Sequence, residues 1–162
     1  MDVLIRLLLR FILVPLGAAI AFTAAAAFVV IAHRNALIAL LDADPQAQQE
    51  YFIALLFGGP VLALLLSIWA FYVFVPAAIG VLISEAFAIR SWMFHVANGG
   101  LSAWLGWALT QDTRDEYRFL TEPRILVAAG LVAGVAYWMV AGRTAGFWKP
   151  VRSPRQPSPS PA

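Results

Sequence analysis

The sequence predicts an all-α integral membrane protein built as a bundle of four transmembrane helices. Three observations carry that prediction. The 162-residue chain is 62% hydrophobic and only 12% charged, about half the charged fraction usual for a soluble domain. Its mean hydropathy is +0.80. Its apolar residues fall into long uncharged runs rather than the short amphipathic stripes of a water-soluble core. There is no cysteine, which excludes disulfides, thiolate metal sites and a cysteine nucleophile. Arginine outnumbers lysine ten to one, and this bias, with abundant alanine, points towards a bacterial inner or plasma membrane. The net charge of +2 is too small to imply a nucleic-acid partner.

The first span covers residues 11–32, FILVPLGAAIAFTAAAAFVVIA, without a charge and long enough to cross about 30 Å of hydrocarbon. Pro15 lies in its first turns, where a missing amide donor costs least. The preceding MDVLIRLLLR raises the question of a signal peptide, with Ala25, Ala26 and Ala27 as a cleavage site. The apolar run continues past them with no polar region, so an uncleaved anchor is expected.

The second helix starts at Asp44-Pro45, an N-cap followed by proline at the first helical position. Its apolar stretch from Tyr51 to Ser84 would run about 50 Å as a straight helix. That is too long for one perpendicular crossing and too short for two. Gly58-Gly59-Pro60 and Val75-Pro76 are places to bend. One tilted, kinked span over about 52–89 is therefore expected, ending near Arg90. The rival arrangement makes Val75-Pro76 a hairpin turn and leaves Leu101 to Thr110 too short to cross.

The third span runs over about 92–110. The fourth runs over about 123–141, with Thr121-Glu122-Pro123 as its start signal and Gly142 as its stop. Together residues 1–148 form the transmembrane domain, closed by an interfacial anchor at Phe147 and Trp148 beside Arg143 and Lys149. Residues 149–162 read as a disordered, basic, Pro/Ser-rich tail.

Four spans put both ends on one side. That side holds Arg6, Arg10, Arg90, Arg143, Lys149, Arg152 and Arg155, against Arg34, Arg114, Arg118 and Arg124 on the other. The excess of Lys and Arg marks the side of the termini as cytoplasmic. The charged loop 111–124, QDTRDEYRFLTEPR, mixes both signs and reads as a solvated connection or a contact surface for a partner.

Two groups of polar residues stand out within the apolar runs. Glu85 and Arg90 are five apart and diverge by about 140° on a helix, so they are not an intrahelical ion pair. They read as a corner at headgroup level, with Glu85 free to reach water or a residue of a neighbouring helix. The alternative makes Glu85 a functional intramembrane carboxylate. Ser91, His95, Asn98 and Ser102 share one face at i, i+4, i+7 and i+11, flanked by Gly99 and Gly106. This seam reads as helix-packing contact through close approach and interhelical hydrogen bonds. Its alternative is a proton-carrying or ligand-binding role for His95. Gly130 and Gly134 supply a GxxxG spacing for packing on the fourth helix.

No residue set has the spacing of a catalytic motif, a metal site or a cofactor-binding loop, so no catalytic, metal or cofactor-binding residue is assigned. The expected role is non-enzymatic: a scaffold, accessory subunit or assembly factor that acts by helix–helix contacts. Besides the lipid bilayer, the partner expected is another membrane protein or a second copy. The alternative role is a small transporter or ion-translocating protein that uses the His95 and Asn98 seam. A membrane enzyme ranks third.

Overall fold

The computed structural model describes residues 3–110 and 122–146. Most of the charged loop, the Phe147 and Trp148 anchor and the 149–162 tail lie outside the described residues. Among the described residues the chain is all-helical, with five α-helices: α1 Val3–Ala32, α2 Arg34–Leu41, α3 Pro45–Phe87, α4 Trp92–Leu109 and α5 Pro123–Val140. A single 3-10 turn, Gly142–Thr144, follows α5.

Among the described residues three helices are long and apolar enough to cross a membrane, over Leu8–Ala32, Leu66–Phe87 and Pro123–Val140, which suits a membrane location. α4 is as long as α5, 18 residues each, but is not among the three. Its seam residues His95 and Asn98, together with three tryptophans on its other faces, lower its hydropathy. The expected count of four spans therefore rests on α4 and is not settled by apolar length.

α3 starts where the cap signal places it, with the Asp44 carboxylate accepting from the Ala47 amide at 2.8 Å. It then runs for 43 residues without a break in the helix, through Pro60 and Pro76. Each proline removes one backbone bond from a helix that has many, so the helix continues; the expected kink is not resolved as an interruption. It ends at Ala88, whose φ of 54° is left-handed, and the Ile89 amide closes the end on the Ser84 carbonyl at 2.8 Å. A Cβ is strained in that region, so Ala88→Gly should stabilise the folded protein by about 1 kcal/mol. Thermal unfolding in detergent, followed by tryptophan fluorescence, would check this.

The lateral order is α1, α5, α4, α3, each packed on the next. The core is alanine around a tyrosine: Ala21, Tyr137 and Ala141 form its centre, with Leu13, Val81 and Ala133 against it. Lipid removes the hydrophobic drive between helices, so close approach has to supply the packing. At the α4/α5 crossing, a Cβ on Gly99 would collide with the Gly130 carbonyl, and one on Gly134 with the backbone of His95 and Val96. Gly106 serves another contact and lies against Val73 of α3.

α1 and α3 run antiparallel. Arg10 of α1 meets Glu85 of α3, and Phe22 stacks on Phe74 with ring centroids 6.2 Å apart. Stepping up α1 and back along α3 from those pairs brings Ala32 level with about residue 64. The first half of α3 thus continues past the end of α1 by roughly 30 Å at 1.5 Å per residue. α2 leads into the start of α3, where the Gln48 side chain donates to the Leu41 and Ala43 carbonyls at 2.9 and 3.0 Å. We call α2 and the Pro45–Leu64 part of α3 the arm.

Candidate functional site

At the opposite end from the arm, one polar network gathers three separate parts of the chain. α1 brings Arg10 to this end, α3 brings Glu85 in its last turn, and the turn after α5 brings backbone groups. Arg10 Nη2 forms an ion pair with Glu85 Oε1. Its Nη1 donates to the Ala141 carbonyl at 2.9 Å and to Thr144 Oγ1 at 2.8 Å. The second carboxylate oxygen of Glu85 accepts from the Gly146 amide at 3.2 Å. Gly146 has φ +71° and lies against Ala88, a close approach that only glycine permits. The two side chains are 8% and 16% exposed, so the pair is largely shielded from solvent. A cavity of about 140 Å³ beside it is lined by Leu9, Arg10, Leu13 and Thr144.

Arg90 is not part of this pair. It is exposed in the bend between α3 and α4, its Nε donates to the Ala145 carbonyl at 3.1 Å, and its own carbonyl accepts from Trp138 Nε1 at 2.9 Å. Arg143 folds back on α5, donating through Nε to the Met139 carbonyl at 2.8 Å, with its guanidinium 5.7 Å from the Trp138 ring centroid. The structure therefore collects Arg10, Glu85, Arg90 and Arg143 at one end of the bundle.

The seam on α4 divides between two neighbours. Ser91 is the exposed N-cap residue. His95, 2% exposed, stands against Tyr137 of α5 with ring centroids 5.4 Å apart, and its Nε2 lies 3.3 Å from the Ile89 carbonyl, a donor in the tautomer protonated there. Asn98 turns instead to α3: its amide donates to the Ala77 carbonyl at 3.1 Å and fills the space that Gly80 leaves open. Ser102 is buried and donates to the Asn98 carbonyl on its own helix at 2.7 Å.

Arg10, Tyr137 and the turn at 141–146 are the members that sequence reasoning missed. Arg10 reads as one of two flanking basic residues, and its partner lies 75 positions away. The available signal was Glu85 itself, a carboxylate near the end of an apolar helix with no cation three or four residues away. Arg10 Nε, His95 Nδ1 and Tyr137 Oη are buried without a hydrogen-bond partner within the described chain. Among the described residues no group of three His, Cys, Asp or Glu side chains is close enough to hold a metal ion.

Chemically, this network is a latch. Both charges of its ion pair are spent on each other and on backbone groups from a third segment, which fixes α1, α3 and the end of α5 together. Comparison with protein-family models, with curated proteins and with solved structures finds no match for this chain.

Proposed function

We propose that this is a small polytopic membrane protein with a non-enzymatic role, a scaffold, accessory subunit or assembly factor that works by helix contacts. The single observation that carries the reading is the bare arm. Tyr51, Phe52, Leu55 and Phe57 are 55%, 65%, 64% and 75% exposed on a helix that has left the bundle. α4, α5 and α1 all end near the level where the arm begins, with His33, Arg34, Glu122 and Arg124 at that level. A hydrocarbon layer of about 30 Å that covers the bundle does not also cover an arm roughly 30 Å beyond it. Apolar surface of this extent outside lipid marks an interaction site.

The topology that goes with this reading has four spans, α4 included, with both termini in the cytoplasm of a bacterial inner membrane. Arg10, Arg90 and Arg143 share the latch end, in keeping with the positive-inside rule, and the arm stands on the outer side. Mild extraction from the native membrane should recover the protein with a stoichiometric companion that survives washing. The double substitution Phe52→Gln and Leu55→Gln should release that companion while the bundle stays folded. Recovery of the unmodified chain as a monomer would overturn the reading.

A second reading, ion translocation along α4, draws on the three unpartnered polar atoms of Arg10, His95 and Tyr137. It is the weaker of the two, because the one carboxylate nearby, Glu85, is already held by Arg10 and the Gly146 amide.

A further inference from the structure

The arm has two unlike faces. One is a groove between α2 and α3, a cavity of about 270 Å³ lined by Leu40, Leu41, Gln48, Tyr51, Phe52 and Leu55. The other carries Ile53 and Phe57 and points roughly 150° or more away from it around α3. An apolar groove of this kind, open on one side, is buried when a second apolar face closes over it. We propose that a second copy of this chain supplies that face, so that two arms close groove to groove outside the membrane. This rests on the proposed reading of the arm as a contact element.

Three features select a second copy as the occupant. A covering partner must present its own apolar face at the same height above the same side of the membrane. Another copy does so by construction, because each α3 runs on without a break from the membrane-spanning part into the arm. Both copies then stand parallel, and a twofold axis along the membrane normal brings groove onto groove as a self-complementary interface.

The area is also sufficient. Tyr51 and Phe52 are 55% and 65% exposed and Leu41 and Leu55 74% and 64%, so each ring has somewhat over half of the roughly 150–250 Å² of an aromatic side chain left to bury. The groove face therefore offers up to about 500 Å² per copy, or about 1,000 Å² for the pair, the lower threshold for a specific interface. Finally, charge does not oppose the pairing. None of the residues lining the groove is charged, and Glu50 points away from it by about 150° on the same helix.

The absence of cysteine makes the test direct. Single variants Phe52→Cys and Leu55→Cys on the groove face, and Ile53→Cys and Phe57→Cys on the other, are oxidised in native membrane fragments open on both sides. A disulfide needs Cβ atoms about 4 Å apart, so the groove positions should form a linked homodimer about tenfold faster than the other two. Equal rates on the two faces would indicate random collision and overturn the proposal. Labelling the same variants with a maleimide separates the two readings. Groove cysteines that resist labelling but form no homodimer would overturn the second copy while leaving a covered arm. Groove cysteines that label freely would overturn both.

Discussion

Arg10→Ala should be among the most damaging single substitutions in the bundle, with a loss of about 3–5 kcal/mol, the range for removing one partner of a buried ion pair. The substitution leaves the Glu85 carboxylate, 16% exposed, facing the Gly146 amide alone. It also strips donors from the Ala141 carbonyl and Thr144 Oγ1. Most of the cost is the uncompensated charge rather than the lost attraction. The double variant Arg10→Met with Glu85→Leu should therefore recover much of the loss, because neither charge is then left alone. Arg10→Lys should fall between, since an ammonium keeps the charge but not the planar fork that serves three acceptors from two nitrogens. Resistance to unfolding in mixed micelles of increasing denaturing detergent, read by helical circular dichroism, ranks the four proteins. A double variant as weak as Arg10→Ala would show that the guanidinium acts through packing and not through charge compensation.

That latch illustrates what a sequence can and cannot report. The long uncharged run from Phe11, the Asp44-Pro45 start, the end of α3 before Arg90 and the start of α4 at Trp92 are all local. Each depends on residues within a turn or two; the last three stand in the structure at those positions, whereas the first helix already begins at Val3. The seam residues on α4 are legible as a face for the same reason. Which neighbour each meets is not, since His95 turns to α5 and Asn98 to α3. The Arg10–Glu85 pair is invisible to periodicity because the two residues are joined only by the register of two helices. The arm is hidden for a different reason. Hydropathy measures the cost of leaving a residue in water, so it scores Tyr51 to Leu64 as it scores the rest of α3. Only the level at which α1, α4 and α5 stop separates the half of that helix beside the bundle from the half that runs beyond it. α2 went unread because eight residues, RNALIALL, are too few for a distinct helical period to emerge.

At the α4/α5 crossing a single methyl group should be enough to push the helices apart. Gly99→Ala places a Cβ onto the Gly130 carbonyl, and Gly130→Ala places one between Gly99 and Ala103. The obstacle at Gly99 is backbone, which cannot rotate away as a side chain does. Overpacking of this kind costs up to about 3 kcal/mol, and the better helix propensity of alanine returns about 1 kcal/mol. The net loss expected is about 2 kcal/mol for either variant. The two substitutions address the same contact, so once the helices have moved apart for one, the second should add little. The double variant should therefore be less destabilised than the two losses added together, whereas sites acting independently would add within about 0.5 kcal/mol. The consequence reaches beyond the crossing. α4 stands between α5 and α3, so displacing it moves His95 from Tyr137 and draws Asn98 out of the space at Gly80. Unfolding measurements on the two single variants and the double variant test this directly. Full additivity would mean that Gly99 and Gly130 do not share a contact, and the α4/α5 crossing would have to be redrawn.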